Sequence, residues 1–310
     1  MIHHEQKTLF PVRLRPGDAI GIAAPSGSFD KESIQSGIDV LNDMGFRTVI
    51  PEGLYEKNGY LAGSDAHRAG LLNDLFADPG IQGIMCARGG FGSMKILSLL
   101  DYDLIRRHPK AVVGFSDISA ILYALYDACG LVTFHGPVLT TLGEADLKTK
   151  ESLLSALSSD KAIDIFPGKG KVIRHGRASG RVLGGNLTTL CHLVGTPFSP
   201  RFGGSILVLE DKGEQDYRID RMLTQMRLAG CFDGVSGIVL GSFIDCGEQD
   251  RIFRIVEEIF GGEPIPIMAG FEIGHQKENM TIPIGAQAAI DSEKGSVQFA
   301  QCATLPDSNE

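Results

Sequence analysis

Short aliphatic and β-branched runs recur through the first half of the chain, each closing on a Gly/Ser/Asp turn and leading into apolar residues at helical spacing. Positions 19–24 predict a strand, Pro25-Ser26-Gly27-Ser28 a turn, and positions 31–44 a helix with Ile34, Ile38 and Leu41 on one face. Gly45 ends that helix in the usual way. Positions 48–50 predict a second strand and 65–76 a helix with Asp65 as its N-cap. Two more strands are expected over 81–87 and 111–115, turning through Arg88-Gly89-Gly90-Phe91-Gly92-Ser93 and Ser116-Asp117 into helices over 94–100 and 118–129. This alternation predicts an α/β fold whose first half is an open parallel sheet covered by helices. Its turns share the rim beyond the carboxyl ends of the strands, where such sheets bind ligands.

From about position 144 to 180 the pattern turns polar, with a Lys/Ser-rich helix over 147–158 and then Gly168-Lys169-Gly170-Lys171. That change predicts an N-terminal domain over 1–145, a linker region over 146–180 and a C-terminal mixed α/β domain over 181–310. In the last of these, strands are expected at 181–183, 205–209, 238–243, 265–268, 288–291 and 296–299. Helices are expected at 187–194, 216–228 and 251–260. No internal repeat is evident, and the Ser/Asn/Glu-rich end after Pro306 reads as disordered.

Length and charge narrow the function. The 310 residues suffice for two cores, and Lys+Arg 29 against Asp+Glu 38 gives a net charge of −9 with no basic cluster, which argues against a nucleic-acid partner. No apolar run approaches the roughly 18 residues a membrane span needs. The first seven residues lack the features of a secretory signal, so a cytoplasmic location is expected. Six cysteines, with no C-x-x-C pair, read as reduced core thiols. With no His/Asp/Glu cluster at metal-site spacing and no G-x-G-x-x-G, neither a metal nor a cofactor is expected.

Chemistry by side chains remains. Gly114-Phe115-Ser116-Asp117 puts a serine where a buried strand turns into a helix, a position that exposes a nucleophile's hydroxyl to backbone N–H groups. Ile118 stands where G-x-S-x-G would have its second glycine, and the motif alone favours an ordinary helix cap. His275, in a Gly-punctuated loop before Pro283, is the best candidate base, although an inconsequential loop histidine is the alternative. His135 is its rival; His3 and His4 are terminal. Glu210 ends the buried run Ile206-Leu207-Val208-Leu209 and would orient a base, unless it and Asp211 cap a loop or pair with Lys212. Arg88 suits a substrate carboxylate or a surface ion pair, and Gly184-Gly185-Asn186-Leu187 either positions substrate or connects two elements.

Together these segments resemble the LD-carboxypeptidase family of serine peptidases, which includes muramoyltetrapeptide carboxypeptidases and microcin C self-immunity peptidases. The resemblance spans nearly the whole chain, through Ala24-Pro25-Ser26-Gly27, Leu61-Ala62-Gly63-Ser64-Asp65 with Arg68, the Arg88 and Ser116 turns, and Phe134-His135-Gly136-Pro137. It continues through Leu183-Gly184-Gly185-Asn186-Leu187, Leu209-Glu210-Asp211 and Gly274-His275 with Pro283-Ile284-Gly285. It implies a flavodoxin-like N-terminal sheet beside the mixed α/β domain. It also implies Ser116 as nucleophile, His275 as general base, Glu210 as the residue orienting it, and the backbone amides of Gly90 and Asp117 as the oxyanion hole. Arg88 is then expected to meet the substrate carboxylate and Asn186 to contact substrate, while His135 becomes structural. The implied substrate is a small peptide, a muropeptide tetrapeptide losing terminal D-alanine, and the implied assembly a homodimer. Two other functions compete: cleavage of a peptidyl-adenylate antibiotic, against which zero Trp counts, and a non-catalytic nucleotide- or sugar-binding module.

Overall fold

A computed structural model describes residues 7–306. His3, His4 and the stretch after Pro306 lie outside the described residues. Two compact units are present: residues 7–160 with Thr281–Gly285 and 302–306, and residues Lys161–Met280 with Ala286–Gln301.

The first unit carries the predicted parallel strands, β1 (Ala19–Ala23), β2 (Arg47–Val49), β3 (Gly83–Cys86) and β4 (Ala111–Gly114), together with β5 (Thr133–His135). They pair in the order β5-β4-β3-β1-β2, all parallel, the order of a flavodoxin-like sheet. Helices α1 (Gln35–Asp43), α2 (Asp65–Ala77), α3 (Tyr102–Arg107) and α4 (Ser119–Cys129) connect them, followed by α5 (Leu139–Leu142) and α6 (Leu147–Ser158). Two expected helices differ in kind. Lys31–Ile34 is a 3-10 turn leading into α1, and Ser93–Leu99 is 3-10 throughout. The N-cap of α2 is Ser64, whose hydroxyl accepts the His67 N–H, rather than Asp65. Asp65 is thereby left at the first helical position, where it pairs with Arg68.

The second unit is built on one mixed sheet. Its strands are β6 (Asp164–Ile165), β7 (Lys171–Arg174), β8 (Arg177–Asn186), β9 (Ser205–Lys212), β10 (Gly237–Ile244) and β11 (Ile267–Ala269). After β12 (Ile282–Ile284), which belongs to the first sheet, come β13 (Gln287–Asp291) and β14 (Ser296–Phe299). Strands β8 to β11 run parallel, and β7, β13, β14 and β6 add antiparallel edges in the order β6-β14-β13-β8-β9-β10-β11-β7. Helices α7 (Leu187–His192), α8 (Asp216–Leu228) and α9 (Gln249–Ile259) fall close to their predicted places.

The expected linker over 146–180 is not a linker. Its residues form α6 in the first unit and β6, β7 and the start of β8 in the second, so its polar sequence reflects edge strands with one solvated face rather than unstructured chain. The chain also re-enters the first unit through β12, antiparallel to β5. Pro283 fits there because β12 is the sheet's edge and needs no N–H at that position.

Two features hold the rim of the first sheet in place. Helix α4 has Ser119 through Leu125 all buried, so it is enclosed by core rather than merely resting on it. Arg68 is 1% exposed. Its guanidinium donates to the Pro25 and Gly92 carbonyls, clamping the loops after β1 and β3, and forms an ion pair with Asp65. Removing that cation would leave the Pro25 carbonyl without this donor and take one of two partners from the Gly92 carbonyl and from Asp65, which keep the Lys95 N–H and the Lys95 ammonium. Arg68→Met is therefore expected to lower stability in urea unfolding by about 3 kcal/mol; a loss under about 1 kcal/mol would show that water replaces the clamp.

Candidate active site

Strand β4 runs out at Gly114, and Phe115 is still extended when the backbone reverses at Ser116, which has φ of 63°. Only Ser116 and Asp245 among the described non-glycine residues have positive φ. A side chain held in that region costs on the order of 1–3 kcal/mol and persists where packing enforces it. Here a Cβ on Gly114 would stand 2.7 Å from the Ile118 side chain, so the turn closes only over glycine. Ser116 itself is half-buried and is not at an N-cap position: Phe115 enters the 3-10 turn and Ile118 enters α4, neither with a side-chain cap bond.

The glycine loop after β3 passes beside this serine. A Cβ on Gly89 would lie 2.9 Å from the Ser116 Cβ and 3.1 Å from its Oγ, so a side chain there would crowd the hydroxyl. Gly90 follows with φ of 121° and Gly92 with 134°. The Asp117 carboxylate braces the same loops: its Oδ2 accepts from the Ser26 hydroxyl and, at 2.8 Å, from the Ser93 N–H, while the Ser93 hydroxyl donates to the Asp117 carbonyl. Sequence reasoning valued Asp117 only for its amide and did not single out Gly89. The signal for both lay in their place at strand ends on one rim. Arg88 is exposed, donates to the Ser28 carbonyl at 2.9 Å and lines a cavity of about 340 Å³ with Lys57 and Thr140. His135 is fully buried on β5, its ring edge-on to Phe115.

In the second unit, β9 ends in two buried carboxylates, Glu210 and Asp211. Opposite them the β9–β10 pairing slips: Leu240 pairs with Leu209 and Phe243 with Asp211, so Gly241 and Ser242 together face Glu210. Such a bulge bends the strand and re-aims neighbouring side chains. Gly241 permits it, because a Cβ there would meet the Glu210 Cβ at 3.2 Å and the Ile273 carbonyl at 2.5 Å. The loop after β11 then brings His275 over the carboxylate, with His275 Nδ1 2.7 Å from Glu210 Oε2. Gly274 has φ of 106°, and a Cβ on it would land on that carboxylate. The loop is pinned on either side: the Ser242 N–H and hydroxyl donate to the Ile273 carbonyl at 2.9 and 3.0 Å, and the Gly274 N–H donates to Asn279 Oδ1 at 2.9 Å.

A carboxylate only accepts, so Nδ1 carries the hydrogen in this bond and Nε2 is left as the basic nitrogen. The Glu210 side chain has no exposure and that of His275 is 16% exposed, which shields the pair from water without sealing it. Asn186, aligned with Glu210 in the β8–β9 register, donates through Nδ2 to Glu210 Oε1 at 3.2 Å. It is 5% exposed, its Oδ1 accepts from Thr189, and it caps α7. The structure therefore places this expected substrate contact behind the carboxylate pair, with its amide engaged by protein groups.

Other nucleophiles are less suited. Burial pushes the Cys86 thiol up to about 12 and the Cys129, Cys191 and Cys246 thiols up to about 11, so these sulfurs stay protonated. Among the described residues no three His, Cys, Asp or Glu side chains gather as metal ligands would.

Similarity to known proteins agrees with these two units. Residues 20–136 match the LD-carboxypeptidase N-terminal domain of the Peptidase S66 family, and residues 179–290 match its LD-carboxypeptidase C-terminal domain. A Streptomyces coelicolor protein named as a carboxypeptidase is 37% identical over 293 residues, covering 93% of this chain and 94% of that protein. The murein tetrapeptide carboxypeptidase of Pseudomonas aeruginosa is 31% identical over 291 residues, covering 89% and 94%. Among solved structures, an MccF-like protein from Bacillus anthracis superposes with a TM-score of 0.89 at 29% identity, covering 95% of this chain and all of that one. By sequence over both units, the chain belongs to the Peptidase S66 family of LD-carboxypeptidases.

Proposed function

We propose that this protein is a serine carboxypeptidase that cuts the L,D-peptide bond holding the terminal D-alanine of muropeptide tetrapeptides. In this reading Ser116 is the nucleophile, His275 the general base and Glu210 the acceptor that orients it. The observation that carries the proposal is the bond between the buried Glu210 carboxylate and His275 Nδ1, because it fixes the tautomer in which Nε2 can take a proton. The left-handed backbone at Ser116 and the glycine loop beside its hydroxyl support the nucleophile's part.

The chemistry is acyl transfer. Nε2 of His275 takes the Ser116 proton as Oγ bonds to the carbonyl carbon, and the negative charge moves to the carbonyl oxygen. Amides at Gly90 and Asp117 would hold that oxyanion. When the C–N bond breaks, the imidazolium protonates the leaving D-alanine amine; water, deprotonated in turn by Nε2, then releases the peptide acid and restores the serine. Glu210 stabilises the imidazolium at both stages. Asn186 serves this reading as a positioning residue, through its bond to Glu210 Oε1.

An exopeptidase must also hold the free carboxylate, and Arg88 at the wall of the 340 Å³ cavity is the group proposed for it. Free, mostly buried thiols and the recycling of wall fragments fit a cytoplasmic enzyme, and a homodimer is the assembly we propose for it. No helix among the described residues is long and apolar enough to cross a membrane. The second reading, cleavage of a peptidyl-adenylate antibiotic, draws on the likeness to the MccF-like structure. A tetrapeptide and a peptidyl-adenylate assayed side by side separate the two.

Ser116→Ala is expected to cut hydrolysis of a muramoyl tetrapeptide by at least about 10³-fold and to abolish labelling by a fluorophosphonate. Label that persists on the variant would place the nucleophile elsewhere. Replacing Arg88 with Met should raise KM about tenfold or more for the tetrapeptide while barely affecting an analogue amidated at its carboxyl end. Equal effects on both substrates would remove Arg88 from carboxylate recognition.

A further inference from the structure

Next to Glu210 on β9, Asp211 is 2% exposed and has no part in the mechanism above. Neighbouring side chains on a regular strand leave opposite faces, yet one group reaches both carboxylates: Asn186 Nδ2 donates to Glu210 Oε1 at 3.2 Å and to Asp211 Oδ1 at 3.1 Å. The far end of the amide is also held, since Asn186 Oδ1 accepts from the Thr189 N–H at 3.0 Å and the Thr189 hydroxyl at 2.9 Å. Turning the amide over would set its oxygen against two carboxylates and its hydrogens against two donors.

Asp211 is itself anchored. The Thr188 N–H and hydroxyl donate to its Oδ2 at 2.9 and 2.7 Å, and the Lys212 N–H donates to Oδ1 at 2.8 Å. Burial pushes this carboxyl above its ordinary range, opposed by the Thr188 bond. A second carboxylate beside Glu210 is costly in so dry a place unless it performs a task that an apolar residue would not.

We infer that Asp211 is a positioning residue, which acts through Asn186 to fix the rotation of the Glu210 carboxylate and thereby the aim of the His275 ring. The chain of contacts runs from Thr188 to Asp211, from Asp211 to the Asn186 amide, and from there to Glu210 Oε1, leaving Oε2 for His275 Nδ1. An amide at position 211 offers one acceptor oxygen where the carboxylate offers two, so it cannot accept from Asn186 on one side and from the Thr188 N–H on the other; either the Asn186 plane loses an acceptor or its support loses the Thr188 anchor, and Glu210 loses a fixed donor. The imidazole then samples orientations that do not receive the serine proton. Substrate is not touched, so binding is spared.

The inference rests on the serine-carboxypeptidase reading, and one kinetic set separates the two. On a muramoyl tetrapeptide, kcat and KM are measured for wild type, Asp211→Asn, Asn186→Ala, the double variant, Ser116→Ala and His275→Ala, with thermal melts confirming that each is folded. Asp211→Asn should lower kcat about 10- to 100-fold with KM within about twofold, and the double variant should match Asn186→Ala within about twofold, because both act on one path. A folded Asp211→Asn enzyme with wild-type kcat, or single effects that multiply in the double variant, would overturn the inference while inactive Ser116→Ala and His275→Ala leave the reading intact. Full activity in those two would remove both. Should Asp211→Asn not fold, Thr188→Val takes its place: about a threefold fall in kcat at unchanged KM supports the inference, and an unchanged kcat overturns it.

Discussion

A buried carboxylate needs donors, and at Glu210 those donors dictate how the surrounding chain is built. Its side chain has no exposure, so its charge is held by the imidazole on one oxygen and an amide on the other. The bulge at Gly241 turns the strand to aim it, Gly274 lets the backbone come close enough for His275 to reach it, and Asn186 meets it in register from the neighbouring strand. A methyl group at either glycine would collide with Glu210 or its loop. The bond is therefore available only because the sheet irregularity, the loop conformation and the strand register agree.

The serine side follows the same logic with different parts. Glycine at positions 89 and 114 clears space that a Cβ would fill, and Ser116 takes a left-handed conformation that the enclosed helix α4 and the braced loops sustain. Arg68 and Asp117 are charged groups used inside a core, and both bond to the loops they organise. In the two units, the strained Ser116 and the buried carboxylates of Asp117, Glu210 and Asp211 lie at or just beyond strand ends, where the apolar remainder of each sheet offsets them.

Much of this was legible in order along the chain. The parallel strands β1, β3 and β4 announce themselves through short aliphatic runs, and the turns that follow carry Ser116, Arg88 and the glycines because strand ends are where side chains become accessible. What local pattern could not show was anything set by register or return. Pro283 looks like a turn but lies on an edge strand, the polar stretch 146–180 divides between two units, and the three residues of β5 are too few to show a period. The Gly184-Gly185-Asn186 turn leaves substrate positioning and mere connection both open in sequence; only pairing of β8 with β9 shows Asn186 against Glu210 and Asp211. Ser64 rather than Asp65 caps α2, a one-residue difference that frees Asp65 for Arg68.

The claim on which the chemistry stands is that Glu210 holds a hydrogen on His275 Nδ1 and leaves Nε2 basic. Proton NMR of the exchangeable imidazole hydrogens reads this directly. Wild type and Ser116→Ala should each show a resonance well downfield of the amide region that disappears in His275→Ala and is lost or moves strongly upfield in Glu210→Gln. A downfield signal unchanged in Glu210→Gln would contradict the account, since the hydrogen would then be held by some other acceptor.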